Sequence, residues 1–263
     1  SDSDSDGGDG GDVVVKAGAA YGTNATSDEG GNVLIDAGAA TAARGGDIKM
    51  VSGHSNSTSS GDVVVETADA GSAGVSGRMD LTTGTSSDGA SGEISLTTGA
   101  AVGGNGGNVE VTTGNASGGS GGDIKLKVGT GNSGAGGDVV VTAGKTTDSD
   151  ASGGDIVIDG GVSQSKTGGA VKVTSGQGEA EDSGDVIVAT ANAGQAGVSG
   201  DMALKTGTAS AGGAGSISLS TGAATGGNGG DIDLQVGTGN TGDGGSVSVV
   251  AGATTAGGAT GGA

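Results

Sequence analysis

The sequence predicts an all-β fold, a β-solenoid (β-helix) of about sixteen 15-residue coils with a thin cross-section and no assigned handedness. Three observations predict it. A glycine-bounded unit recurs from end to end. Aliphatic residues alternate strictly within each unit. Glycine supplies 66 of 263 residues, with no Pro, Cys, Phe or Trp, a density that argues against helix.

The unit reads Gly, usually Asp or Asn, then apolar-x-apolar, a small residue and, in most units, another Gly. Its opening glycines are Gly11, Gly31, Gly46, Gly61, Gly77, Gly92, Gly107, Gly122, Gly137, Gly154, Gly169, Gly184, Gly200, Gly215, Gly230 and Gly245. The aliphatic pairs run from Val13/Val15 through Ile48/Met50 and Ile124/Leu126 to Ile232/Leu234 and Val247/Val249, and all are Val, Ile, Leu or Met. Period-two apolar residues bounded by glycine predict strands. The third inward position is smaller, as at Thr83, Thr113, Ala143 and Ser175, with Val128 and Val236 the largest. A second, poorer segment, such as 99–105, closes each coil. A single coil cannot bury its aliphatic pair, so the reading requires coils to stack, at about 4.8 Å each.

A larger period overlies the first. Residues 68–87 align with 191–210, and 121–137 with 229–245. The chain divides into an acidic Ser/Asp/Gly lead-in (1–10), the final coil of a preceding large repeat (11–30), a large repeat of eight coils (31–153) and one of seven (154–263). The phase at the two ends suggests continuation head-to-tail, within a longer array or between subunits. Open strand edges at the ends invite pairing. Burial of small aliphatics in so thin a coil does not match the entropy lost by a glycine-rich backbone, which favours an assembled state.

Composition excludes much chemistry. Without cysteine there is no disulfide framework, Cys-ligated zinc or thiol nucleophile. His54 is the one histidine, in a turn with no carboxylate placed to orient it, so no enzyme is expected. Thirty acidic against 10 basic residues give a net charge of −20, which repels nucleic acid, and no apolar run is long enough for a membrane span.

Five sets of residues are candidates for function. The acidic residues opening the units, Asp12, Asp47, Asp62, Asp123, Asp138, Asp155, Asp185, Asp201 and Asp231, form a column that could bind Ca²⁺. The same column also holds Asn32, Asn108, Ala170, Ser216 and Ser246, which favours Asx-type turns, and no metal site is preferred. Sequons at Asn24, Asn56 and Asn115 lie in expected turns and could carry glycans. Val14, Leu34 and Val64, then Val140, Val157 and Ile187, are aliphatic at the middle, outward position; they read as β-branched filler or as a lateral contact recurring once per large repeat. Outward Thr82, Thr97 and Thr112 make a short ladder of the kind ice binding uses, broken at Lys127. Two G-x-G-x-x-G matches, Gly129–Gly134 and Gly237–Gly242, precede strands rather than helices and read as turns.

Stretches such as TGTSSDGASGEISLTTGAAVGGNGGNVEV (83–111) resemble the Gly/Ser/Thr/Val repeats of very large predicted surface proteins of algae and some microbes. The resemblance covers nearly the whole chain and implies an extracellular, structural or adhesive role without catalytic residues. The expected function is that of a structural extracellular repeat protein assembling with itself, head-to-tail and laterally, into filaments or a cell-surface matrix. The alternatives are the stalk of a surface adhesin and a Ca²⁺- or ice-binding surface.

Overall fold

The computed structural model describes residues 10–24, 26–254 and 260–262. Most of the expected acidic lead-in, residues 1–9, and Ala25 of the first sequon lie outside the described residues. The chain divides into two units, Ser1–Lys127 and Val128–Ala263, and the same local pattern recurs inside each.

Among the described residues there is no helix and no β-strand. This overturns the expectation of an all-β solenoid. None of the described residues is buried, and both aliphatic positions of every repeat are exposed. Among the described residues no hydrogen-bonded ladder joins equivalent positions of successive repeats. The described residues make ten backbone–backbone hydrogen bonds, where a folded chain of this length would make roughly 170.

The reason lies in where consecutive repeats meet. The opening glycine of each repeat after the first lies against the end of the segment before it. Gly46 N–H donates to the Gly38 carbonyl at 2.9 Å, and a Cβ built on Gly46 would meet Ala37 Cβ at 3.5 Å. The chain therefore consists of short segments, named here by their opening glycines, joined by closed loops. Two segments touch at the junction and make no further backbone bonds with each other. A pair so joined has no third partner, and paired segments with nothing to pack against are marginal in water.

Exposure records the same arrangement. The first aliphatic of an inner segment is half covered (Ile48 55%, Ile156 53%), whereas Val13, with no described segment before it, is 92% exposed. At the second aliphatic Ile158 is 72% exposed and Val249, in the last segment, 91%. Each segment shades its neighbours only near the junctions they share.

Alternation of side chains survives without a ladder. The Arg78 guanidinium reaches Asp80, and the Lys125 ammonium reaches Asp123 at 2.7 Å. The Ser95 and Thr97 hydroxyls lie 3.3 Å apart. Contacts between residues i and i+2 place the second, fourth and sixth positions of these segments on one side, as an alternating backbone requires.

Candidate functional site

The junctions fall into two classes, decided by the third inward residue. Where that residue is Ala, Ser or Gly, the backbone bond forms. It joins Gly31 to Gly18, Gly46 to Gly38, Gly61 to Gly53, Gly154 to Gly144, Gly169 to Gly161, Gly184 to Gly176 and Gly262 to Gly252, all between 2.8 and 3.0 Å. The residues beside these bonds are Ala17, Ala37, Ser52, Ala143, Gly160, Ser175 and Ala251. Where the residue is Thr or Val, no such backbone bond occurs: Thr67, Thr83, Thr98, Thr113, Val128, Thr190, Thr206, Thr221 and Val236.

The cause is steric. A β-branched side chain fills the space beside the facing glycine. Thr113 Cβ and Cγ2 would lie 3.2 and 3.4 Å from a Cβ on Gly122, and Val236 Cγ1 2.7 Å from one on Gly245. The branch stands where the two backbones would otherwise close. At the Thr221 junction the hydroxyl donates instead to the Gly230 carbonyl, at 3.0 Å.

Loop chemistry follows the same division. The loops of four unbonded junctions turn through glycines of positive φ, Gly74, Gly89, Gly103 and Gly134, which only glycine adopts freely. Loops of bonded junctions are braced by side chains. Ser55 Oγ accepts from Ser57 and Thr58 N–H and lies 2.9 Å from Thr58 Oγ1. Ser163 Oγ accepts from Lys166 N–H at 3.0 Å. Asp148 Oδ1 accepts from Asp150 N–H at 2.9 Å. Arg44 grips Asp47 with both terminal guanidinium nitrogens, at 2.6 and 3.0 Å.

Bonded junctions are grouped. Three in a row link the Gly11, Gly31, Gly46 and Gly61 segments, and three more link the Gly137, Gly154, Gly169 and Gly184 segments. We call these the first and second blocks, residues 11–67 and 137–190. Seven small residues of these blocks are less than about a third exposed: Ala37, Ser52, Ser55, Ala143, Thr146, Ser175 and Gly178.

The six expected lateral-contact residues fall in the same blocks. Val14, Leu34 and Val64 are the middle residues of three segments of the first block, and Val140, Val157 and Ile187 of three segments of the second. All six are exposed. Lys49 and Lys172 hold the middle position of the remaining segment in each block. Outside the blocks the middle position is polar or small, as at Asp80, Ser95, Glu110 and Ala203. Six of the eight segments in the blocks thus have aliphatic residues at three consecutive positions.

The other candidates are dispersed. No group of three His, Cys, Asp or Glu side chains suited to a metal ion occurs among the described residues. Of the opening acids, Asp47 is engaged by Arg44 and Asp123 by Lys125. Asn24, Asn56 and Asn115 lie in exposed loops. Asn24 Oδ1 accepts from Thr26 N–H at 3.0 Å and from Thr26 Oγ1 at 2.8 Å, and Asn56 Oδ1 lies 3.2 Å from His54 Nε2. Thr82, Thr97 and Thr112 are exposed on segments that no backbone ladder aligns. The two G-x-G-x-x-G stretches lie in loops, with no helix following either among the described residues. No helix of the described residues is long and apolar enough to cross a membrane.

No family model, curated protein or solved structure matches the chain.

Reading the sequence missed the two classes of junction, because Thr, Ala and Ser all counted as small. The signal was present in the branching at Cβ.

Proposed function

We propose that the chain is a structural, extracellular repeat protein that works by associating with copies of itself, in filaments or a surface matrix, and carries no catalytic site. One observation carries this reading. In every segment two aliphatic side chains stand exposed at alternate positions beside backbone groups that make no bond with other described residues. Contiguous exposed apolar surface marks interaction sites, and unpaired backbone is a template for another chain. A copy of the same chain presents the same spacing. The resemblance to repeats of large surface proteins and the sequons at Asn24, Asn56 and Asn115 support a secreted location, with glycans held on loops clear of the segments.

Sedimentation velocity tests the reading. The chain is expected to sediment as large species at micromolar concentration and as smaller ones on dilution. The pair of substitutions Val64→Lys and Ile187→Lys, one in each block, should shift association to at least about tenfold higher concentration, since each removes an aliphatic side chain worth about 1.5–3 kcal/mol when buried. A chain that stays monomeric at every concentration would retire the reading.

A further inference from the structure

We propose that Asn105 and Asn228 are sites of spontaneous self-modification, at which each side chain cyclises onto the following glycine and water then leaves aspartate and isoaspartate. The reaction needs one copy of the chain, so it stands whether or not copies associate.

The chain has ten asparagines, and these two alone precede glycine. They sit in the same motif, Gly-Gly-Asn-Gly-Gly, at Gly103–Gly107 and Gly226–Gly230, in corresponding loops outside the two blocks. Each follows a bend of the backbone, at 102–104 and 225–227. The reacting groups are free. Asn24 Oδ1 is held by Thr26, and Asn56 Oδ1 lies against His54. By contrast, no hydrogen bond joins the Asn105 or Asn228 side chain to another described residue. The Gly106 and Gly229 amides donate to no described residue. A Cβ built on either glycine would meet nothing within 4 Å, so the surroundings leave room for a ring.

The chemistry balances without oxidant or reductant. Hydroxide draws the proton from the Gly106 amide, and its nitrogen attacks Asn105 Cγ. The new N–Cγ bond closes a five-membered succinimide ring. The Cγ–Nδ2 bond breaks, and the nitrogen leaves as ammonia, the proton returning to it. Water then opens the ring. Breaking N–Cγ leaves aspartate; breaking the original peptide bond leaves isoaspartate, whose backbone runs through the side chain and is one methylene longer. A nucleophile held in the adjacent residue makes such a step fast, and a following glycine offers no Cβ to crowd the ring and the widest choice of backbone angles.

The product suits the position. The corresponding loop residue, two before the opening glycine, is Glu29, Asp182 and Asp243 in other repeats. Each event adds one negative charge to the net −20. The two sites are not equivalent. Thr221 Oγ1 donates to the Gly230 carbonyl at 3.0 Å and steadies the residue after the reacting amide, whereas Thr98 makes no such bond to Gly107. Asn105 is therefore the faster site.

Ageing the full chain in neutral and mildly alkaline buffer, followed by proteolysis and peptide mass spectrometry, tests the assignment. Asn105 and Asn228 should convert at least about tenfold faster than Asn108 and Asn192, which precede Val109 and Ala193. The rate should rise with hydroxide concentration, and isoaspartate should appear among the products. Neither Gly106 nor Gly229 has a positive φ, so alanine fits at both. Gly106→Ala and Gly229→Ala should each slow their own site about tenfold and leave the other unchanged. Thr221→Val keeps the branch, removes the donor and should speed Asn228 about two- to fivefold, to the rate of Asn105. Asn105 converting no faster than Asn108, aspartate formed without isoaspartate, or a rate indifferent to G106A would overturn the proposal. Equal rates at the two sites of the wild type would overturn their ordering.

Discussion

One methyl branch decides whether neighbouring segments share a backbone bond. Ala143 stands beside the bond from Gly154 to Gly144, and Thr113 stands where Gly122 and Gly114 make none. Replacing Ala143 with Thr should abolish the first, and replacing Thr113 with Ala should create the second. Amide hydrogen exchange checks both. The Gly154 amide should exchange between about two- and tenfold faster in A143T, and the Gly122 amide slower by a similar factor in T113A, as an exposed bond of about 0.5–1.5 kcal/mol implies. The sequence showed that this position is always small and that a glycine always faces it. It did not show that the position divides into two kinds, because volume alone does not separate Thr from Ala in its effect on a facing backbone.

At the scale of the element, the 15-residue unit was legible and its secondary structure was not. Alternation of Val, Ile and Leu with polar residues fixes which side chains share a side, and the contacts Arg78–Asp80 and Lys125–Asp123 bear that out. A strand needs more: a second segment holding its N–H and C=O groups along its length. Here successive segments meet only where one ends and the next begins, so the period of two survives and the ladder is absent. The loops do more of the local ordering than their Ser/Gly composition suggested. Ser55 alone accepts from two backbone N–H groups and contacts a third group in the 54–60 loop. Ser55→Ala should therefore unlock that loop and raise the exchange rate of the Gly61 amide about two- to fivefold, with the Gly46 amide unchanged, since an unmade bond of this type is worth about 1 kcal/mol or less at an exposed site.

For the whole molecule, the accessible surface is 25551 Å², against about 9800 Å² for a folded monomer of this mass. The solenoid expectation assumed that repeats of one chain bury one another. The hydrophobic pattern requires only that some apolar surface cover each aliphatic pair, and the sequence does not say whose. Shading by a neighbour leaves Ile48 and Ile156 half exposed, and Val128, the most covered large aliphatic, is still 39% exposed. The net charge of −20 opposes association of copies. Raising ionic strength from about 0.01 M to 0.15 M shortens the screening length from about 30 to 8 Å, so light scattering from the chain should increase over that range. A decrease would mean that ion pairs rather than aliphatic contact hold the copies together.

The single bond that closes each loop of a block has a mechanical meaning. Tension on the backbone would meet these fasteners before any covalent resistance, and each release between residues such as Gly53 and Gly61 would pay out about 20 Å of slack. Six such releases in two blocks would let a strained fibre yield stepwise and recoil when relaxed, and a force–extension trace of one tethered molecule should show increments of that size, longer for the Gly18–Gly31 and Gly144–Gly154 loops.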